Sequence, residues 1–204
     1  MSRTAPDTLV FDVGLVLIGA DYEPFLAYMR AHGADASDME DFCRAVDLDA
    51  HERGEIRGPQ FLDRIARRGA RQPATGELHR AWNSMYYPDE RMLDLARQAT
   101  RNYRVFLLSN MGDLHWAHLE AAFAIPSLGH GSIASYTVGT LKPDPAIYAA
   151  AEERFGLEPG RTVFIDDRPA NIAAARARGW SGIVHRDAAD TARELELLGV
   201  RVPP

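Results

Sequence analysis

Short apolar segments alternate along the chain with longer segments of helical periodicity. Each apolar segment is a few residues long, and most carry Val, Ile or Phe, which is typical of strands buried on both faces of a parallel sheet. Four segments fit this pattern clearly and a fifth fits it more weakly. The clear strands are predicted at residues 8–11, 103–108, 161–165 and 182–185, and the weaker one at 133–137.

Segments with helical spacing of apolar residues separate the later strands. Helices are predicted at residues 88–100, 145–155 and 170–178, and Gly179 ends the last of them as a C-cap. An order of strand, helix, strand, helix implies right-handed crossovers between parallel strands. The predicted fold is therefore α/β, with a Rossmann-like open parallel sheet flanked by helices.

Residues 20–87 break this alternation, because they show helices without a clear strand. The helices are predicted at residues 23–31, 36–48, 58–68 and 75–85. The simplest organisation is a small all-helical domain at 20–87, inserted after the first strand into a core domain formed by residues 1–19 and 88–204. Such an insertion lies above the carboxyl ends of the strands, where open α/β sheets bind ligands.

Composition narrows the class of protein. The 204 residues are 46% hydrophobic and 25% charged, as in folded soluble proteins, and a lone cysteine, Cys43, excludes an internal disulfide framework. The formal net charge of −6 argues against nucleic acid as a partner. The longest early apolar run, residues 9–18, is too short to span a membrane and lacks the flanks of a signal peptide. We therefore expect a soluble cytoplasmic protein with neither nucleic-acid nor membrane partners.

Polar side chains follow several of the predicted strands at their carboxyl ends. They are Asp12, Ser109 and Asn110, Lys142, and the pair Asp166 and Asp167. Parallel strands bring these ends to one edge of the sheet, so we expect the side chains to converge. Three carboxylates packed together repel unless a cation lies between them. Lys142 supplies one positive charge, and a hard divalent ion with oxygen ligands supplies the rest, so we predict Mg²⁺.

This combination of groups suits phosphoryl transfer. A lysine and a metal ion neutralise phosphoryl oxygens, while Ser109 and Asn110 donate hydrogen bonds to them. A carboxylate then attacks phosphorus in line and forms an aspartyl-phosphate. Asp12 is best placed for the attack, because it leaves the first strand into a glycine-containing loop that allows close approach of a ligand.

Four sequence motifs in this order resemble those of the haloacid dehalogenase-like hydrolase superfamily. They are Phe-Asp-x-Gly-x-x-Leu at 11–17, Leu-Leu-Ser-Asn at 107–110, Leu-Lys-Pro-Asp-Pro-x-Ile-Tyr at 141–148 and Phe-Ile-Asp-Asp-x-x-x-Asn-Ile at 164–172. The resemblance covers essentially the whole chain, and the helical insertion is similar to the small cap of the phosphatase branch. The stretch His-Glu-Arg-Gly-Glu-Ile at 51–56 also resembles caps of members that act on sugar phosphates.

The resemblance implies a role for each motif residue. Asp12 is the nucleophile and a metal ligand, and the backbone carbonyl of Gly14 is a second ligand. Asp167 binds the metal directly, and Asp166 binds it directly or through water. The phosphoryl group is held by Ser109, Asn110 and Lys142, and the loop after the acidic pair is oriented by Asn171. In the cap, His51 and Glu55 are candidate substrate contacts.

One position departs from the family pattern. Most phosphatases of the family carry a second aspartate two residues after the nucleophile as general acid and base, and here that position is Gly14. General acid–base help is worth about 10²–10⁴-fold in rate, so low activity or a preference for good leaving groups is expected. The candidates for supplying the proton are Glu52, Glu55, His51, Asp113 and His115.

The leading hypothesis is a Mg²⁺-dependent phosphomonoesterase acting on a small phosphorylated metabolite, such as a sugar phosphate. A 2-haloacid dehalogenase uses the same nucleophile without metal, but the Asp166–Asp167 pair makes little sense in such a site. A receiver-type phosphoacceptor domain has its carboxylate pair at the first strand, the reverse of the order here. A catalytically weak or inactive phosphate-binding module stays open because of Gly14.

Overall fold

The computed structural model describes residues 5–202. This part of the chain contains seven strands and ten α-helices. The strands are β1 (Thr8–Phe11), β2 (Ile18–Ala20), β3 (Tyr86–Pro88), β4 (Arg104–Ser109), β5 (Ser132–Ala134), β6 (Thr162–Asp166) and β7 (Ser181–Val184). The helices are α1 (Glu23–Ala31), α2 (Met39–Val46), α3 (Leu48–Glu52), α4 (Gly58–Ala66), α5 (Thr75–Asn83), α6 (Glu90–Ala99), α7 (Asp113–Phe123), α8 (Pro145–Phe155), α9 (Pro169–Ala177) and α10 (Ala188–Leu197).

Five of the strands form one parallel sheet in the order β5-β4-β1-β6-β7. The central strand β1 lies between β4 and β6, and its last residue, Phe11, is aligned with Leu107 on one side and Ile165 on the other. The carboxyl ends of these three strands therefore lie side by side. The predicted α/β fold with an open parallel sheet is confirmed.

Alternate residues of the central strands enter two separate hydrophobic cores, because successive side chains of a strand point to opposite faces. Leu9 and Phe11 pack with α6, α7 and α10 on one face, while Val10 packs with α8 and α9 on the other. Helices thus cover both faces of the sheet, which explains why its strands read as continuous apolar runs rather than alternating ones.

The weakest strand prediction was half right. Residues 132–134 form β5, but residues 135–137, which the sequence pattern assigned to the same strand, form a 3₁₀ turn. Ser135 is the first residue of this turn. Its hydroxyl accepts a hydrogen bond from the backbone N–H of Met111 at 3.0 Å, which requires the chain to leave the sheet here.

Five helices, α1 to α5, lie between β2 and β3 and share a hydrophobic core of their own around Phe25, Phe61 and Trp82. The prediction that this region contains no strand was wrong at both ends of the region. Strands β2 and β3 pair antiparallel there, and the pairing takes in Tyr86 and Tyr87. Because β2 and β3 have only three residues each, they leave too short a pattern to detect. The division into two domains at 19/20 and 87/88 stays a prediction.

The helix predicted at residues 36–48 is in fact two helices. Asp47 adopts a left-handed conformation with φ of 60° between α2 and α3, which ends the first helix and redirects the chain. Helix α6 begins two residues later than predicted because the side chain of Asp89 caps it by accepting from the N–H groups of Arg91 and Met92. Within residues 5–202 no helix is both long and apolar enough to cross a membrane.

The end of α3 contacts two loops of the core directly. The Ser135 hydroxyl donates a hydrogen bond to the backbone carbonyl of Glu52 at 2.6 Å, so one hydroxyl joins the insertion to the loop after β4. Gly54, with φ of +75°, lies so close to Tyr136 that a Cβ atom would stand 2.5 Å from its carbonyl oxygen. Gly112 similarly leaves room for the ring of His51. The segment from His51 to Gly54 is therefore packed backbone to backbone against the core.

We expect Gly54→Ala to lower the free energy of unfolding by about 2–4 kcal/mol, because it adds steric overlap with Tyr136 to the strain of a left-handed alanine. The matched control is Gly139→Ala, since Gly139 has φ of +73° but nothing within 4 Å of its Cβ position. That control should lose only about 1 kcal/mol. Urea unfolding of both variants measures the difference, and equal losses would show that the close approach of Gly54 contributes nothing.

Candidate active site

The structure brings Asp12, Asp166 and Lys142 together at the carboxyl edge of the sheet. Asp12 directly follows β1, Asp166 is the last residue of β6, and Lys142 lies in the loop before α8. The Lys142 Nζ atom lies 2.8 Å from a carboxylate oxygen of each aspartate and donates a third hydrogen bond, also of 2.8 Å, to the backbone carbonyl of Leu108. Three partners use all three donors of the ammonium group. Lys142 is only 3% exposed, so these partners replace its water.

Asn110 fixes the loop that carries Lys142. Its side-chain carbonyl accepts from the backbone N–H of Lys142 at 2.7 Å, and its side-chain amide donates to the backbone carbonyl of Lys142 at 2.9 Å. The amide group of Asn110 is thus used largely in holding the lysine. Its predicted role as a direct contact for a phosphoryl group depends on its remaining side-chain N–H.

Asp166 is fully buried and held from several directions. Both of its carboxylate oxygens accept from the side-chain amide of Asn171, at 2.9 and 3.0 Å, and one also accepts from the backbone N–H of Arg168 at 2.8 Å. Asn171 lies on α9, one turn beyond the acidic pair, and anchors α9 to the end of β6. Asp167, next in the chain, is only partly buried.

The three carboxylates form a group that fits a metal ion. Oxygen atoms of Asp12, Asp166 and Asp167 all lie within 4.8 Å of one another. Carboxylate oxygens are the ligands that Mg²⁺ prefers, and the single positive charge of Lys142 does not balance three negative ones. The donor set therefore suits a hard divalent cation.

The raised pKa values of two aspartates reflect the same excess of negative charge in the site. Burial raises the pKa of Asp12 to about 7, and Asp166 adds to the shift, although Lys142 acts against it. Burial also raises the pKa of Asp167, again with a contribution from Asp166. Burial disfavours the charge on Lys142, but the attraction of Asp12 and Asp166 together raises its pKa, so the lysine stays protonated.

At this edge Ser109 offers a hydroxyl for hydrogen bonding, and Gly14 leaves space. The Ser109 hydroxyl is buried and has no hydrogen-bond partner among the described residues, a costly situation that a bound ligand relieves. Gly14 has nothing within 4 Å of its Cβ position. The position where most family phosphatases carry an aspartate is therefore open, and the side chain is simply missing.

The two residues predicted to contact a substrate from the insertion do not reach the carboxylates. His51 is 1% exposed, its ring is stacked on Phe61 with centroids 4.1 Å apart, and its Nδ1 atom is 2.9 Å from the carbonyl of Ile56. Glu55 is exposed to solvent on the outside of the same segment. The ring of His51 lies against Gly112 in the loop after β4, and its Nε2 atom is 3.7 Å from a carboxylate oxygen of Asp113.

Two cavities lie at the junction of the insertion and the core. The first, here called the Lys142 cavity, has a volume of about 370 Å³, and its lining includes Asn110, Lys142, Asp49, Glu52, Arg53 and Arg168. The second, the Trp82 cavity, has a volume of about 360 Å³, and its lining includes Tyr22, Met39, Leu48, Glu52, Trp82, Tyr86, His115 and Arg168. Glu52 and Arg168 line both. Sequence reasoning did not single out Arg168, although its place directly after the acidic pair was a usable signal.

Sequence comparisons find similarity to haloacid dehalogenase-like hydrolases. A profile of haloacid dehalogenase-like hydrolases matches residues 79–179. A D-ribitol-5-phosphate phosphatase from Bacteroides thetaiotaomicron is 24% identical over 199 residues, which are 93% of this chain and 97% of the relative.

Solved structures are similar over nearly the whole chain. A HAD family enzyme from Bacteroides thetaiotaomicron, in complex with magnesium and inorganic phosphate, superposes with a TM-score of 0.80 at 28% identity, covering 89% of this chain and 95% of that one. A predicted HAD-like family hydrolase from Porphyromonas gingivalis gives a TM-score of 0.81 at 24% identity, covering 96% and 98% of the two chains, and this likeness concerns the fold alone.

We expect Asp12→Asn to stabilise the protein in the presence of a chelator at pH 8. Because the pKa of Asp12 is about 7 in the folded state and 3.8 ordinarily, the folded state holds a proton that the unfolded state has released between these values. Stability is therefore lost as the pH rises from about 4 to about 7, and asparagine avoids a loss of about 1–3 kcal/mol. Urea unfolding at pH 4.5 and pH 8 should show the gain at the higher pH only.

The control for this measurement is Asp94→Asn on the exposed face of α6, which should leave stability unchanged at both pH values. A wild-type protein that is more stable than Asp12→Asn at pH 8 without metal would contradict the excess of negative charge.

Proposed function

Because the chain belongs to the haloacid dehalogenase-like hydrolase superfamily, we propose that it is a Mg²⁺-dependent phosphomonoesterase that acts through an aspartyl-phosphate. The observation that carries this proposal is the position of Asp12, a carboxylate held at the sheet edge by a buried lysine and surrounded by more negative charge than that lysine balances. A dianionic phosphate ester binds at such an edge only together with a further cation.

Asp12 is oriented for attack on phosphorus. One carboxylate oxygen accepts from the backbone N–H of Val13 at 2.6 Å, and the other lies 2.8 Å from Lys142. An oxygen of Asp12 forms a bond to phosphorus as the bond to the ester oxygen breaks, and water then cleaves the aspartyl-phosphate to release inorganic phosphate. Fixing the carboxylate beforehand removes part of the entropic cost of reaching this geometry.

Other residues of the site stabilise the charge of the phosphoryl group. Lys142 places a positive charge beside the nucleophile, and the buried hydroxyl of Ser109, which has no partner within residues 5–202, can donate to a phosphoryl oxygen. Asp12, Asp166, Asp167 and the carbonyl of Gly14 would hold Mg²⁺, which supplies additional positive charge against the phosphoryl oxygens. Asn110 and Asn171 keep Lys142 and Asp166 in place.

We propose a small sugar or polyol phosphate as the substrate. The relative that matches nearly the full length is a D-ribitol-5-phosphate phosphatase. The Trp82 cavity, of about 360 Å³, adjoins the Lys142 cavity and provides Tyr22, Glu52 and Arg168 as hydrogen-bonding groups beside apolar walls. A site of this size has room for a short hydroxylated chain.

The activity test is phosphate release from p-nitrophenyl phosphate. Wild-type protein with Mg²⁺ should hydrolyse it, and Asp12→Asn should be at least about 10³-fold slower because the nucleophile is lost. Chelation of Mg²⁺ should abolish turnover reversibly. The control Asp94→Asn should keep the wild-type rate. No turnover of any phosphoester by the wild type, or full activity of Asp12→Asn, would contradict the proposal.

A series of phosphorylated compounds tests the substrate class. We expect kcat/KM for D-ribitol 5-phosphate or another small polyol or sugar phosphate to exceed that for nucleotides, because the relative that matches nearly the full length is a D-ribitol-5-phosphate phosphatase. Halide release from 2-chloropropionate in the presence of a chelator measures the competing dehalogenase activity, and we expect none. A preference for nucleotides would contradict the proposed class.

A further inference from the structure

The proposed phosphatase reaction needs a group that moves a proton, and the usual position for it, Gly14, has no side chain. An alkoxide is a poor leaving group, so the ester oxygen must be protonated as it departs, and water must later be deprotonated. We propose, resting on the proposed function, that Glu52 of the helical insertion is the general acid and base of this chain.

Glu52 lines both of the cavities at the junction of the insertion and the core. It lines the Lys142 cavity together with Asn110 and Lys142, and it also lines the Trp82 cavity, which we assign to the organic part of the substrate. The bond that breaks joins the phosphoryl group to that organic part. A side chain that lines both cavities, and that interacts electrostatically with both Asp12 and Lys142, is therefore placed by the proposal beside the ester oxygen.

The backbone of Glu52 is fixed to the core on both sides of this junction. The hydroxyl of Ser135 donates to the Glu52 carbonyl at 2.6 Å and accepts from the N–H of Met111, the residue after Asn110. Two residues later, Gly54 packs against the backbone of Tyr136. This short connection holds Glu52 in a constant position relative to the loop that anchors Lys142.

The electrostatic surroundings suit an acid that gives up a proton near neutral pH. Burial raises the pKa of Glu52 to about 7, with further contributions from the carboxylates of Asp49 and Asp12. Lys142 and Arg168 act in the opposite direction. Glu52 is thus a carboxyl group that exists in both protonation states at the pH where the enzyme would work, as a group that alternates between acid and base requires.

The other four candidates do not line the Lys142 cavity. His51 is buried against Phe61, and Glu55 faces solvent. Asp113 accepts from the backbone N–H of Gly58. His115 is hydrogen-bonded to the carbonyl of Trp82 at 3.1 Å. Burial lowers its pKa to about 3, so its ring is neutral near pH 7 and has no acidic proton to give to an ester oxygen. Of these five residues, all within the described chain, Glu52 alone lines the Lys142 cavity.

In the proposed reaction Glu52 both gives the proton needed in the first step and takes one up in the second. In the first step the Asp12 oxygen bonds to phosphorus, the ester P–O bond breaks, and the proton of the Glu52 carboxyl group passes to the departing oxygen, which leaves as an alcohol. In the second step the Glu52 carboxylate takes a proton from water. The resulting hydroxide bonds to phosphorus, the bond to Asp12 breaks, and inorganic phosphate leaves with Glu52 protonated again.

The test compares two leaving groups in Glu52→Gln. The alkyl substrate is the fastest polyol or sugar phosphate of the series above, and the second is p-nitrophenyl phosphate, whose leaving group departs without a proton. We expect kcat/KM for the alkyl phosphate to fall by about 10²–10⁴-fold and that for p-nitrophenyl phosphate by less than about tenfold. Glu77→Gln, which removes an exposed carboxylate from α5 of the same insertion, should change neither.

A second variant returns a carboxylate to the vacant position. Gly14 has open space at its Cβ position, so Gly14→Asp in the Glu52→Gln background should raise the rate on the alkyl phosphate at least about tenfold without a comparable gain on p-nitrophenyl phosphate. Equal losses on both substrates in Glu52→Gln, no loss on either, or equal gains in the double variant would overturn the assignment. A wild type without phosphatase activity would instead overturn the proposed function on which it rests.

Discussion

A single buried lysine sets the character of this site. Lys142 lies between Asp12 and Asp166, and each carboxylate would be strongly destabilised by the other without it. The arrangement requires β1 and β6 to be neighbours in a parallel sheet, because only then do their last residues meet the same ammonium group. Asp167 adds a third carboxylate, so the negative charge of the site exceeds the single positive charge of Lys142. This excess of negative charge favours the binding of a metal ion at the sheet edge.

The core domain and the helical insertion each supply part of the site. The core supplies Asp12 and the acidic pair at strand ends and Lys142 from the loop before α8, whereas the walls of the Trp82 cavity come mainly from α2, α3 and α5. One of the contacts between the two is the segment from His51 to Gly54, which is bonded to Ser135 and packed on Tyr136. This contact fixes the backbone of Glu52 relative to the loops after β4 and β5.

Much of the sheet could be predicted because its strands are buried on both faces and therefore appear as short apolar runs rich in Val, Ile and Phe between longer segments of helical periodicity. The misses have local causes. Strands β2 and β3 are three residues long and show no period, and residues 135–137 looked like a strand although Ser135 turns to bond the backbone of Met111. The break at Asp47 was hidden because apolar periodicity continues across it from α2 into α3.

The amino-acid sequence by itself determined the chemical groups of the site and the edge at which they meet, since parallel strands bring their carboxyl ends together whatever the details of packing. The direction of side chains in the insertion was decided only by tertiary structure. His51 and Glu52 are neighbours on α3, and successive helical residues point about 100° apart. Which of them faces the cavity depends on the stacking of His51 on Phe61 and on the bond from Ser135, contacts between residues that no local pattern connects.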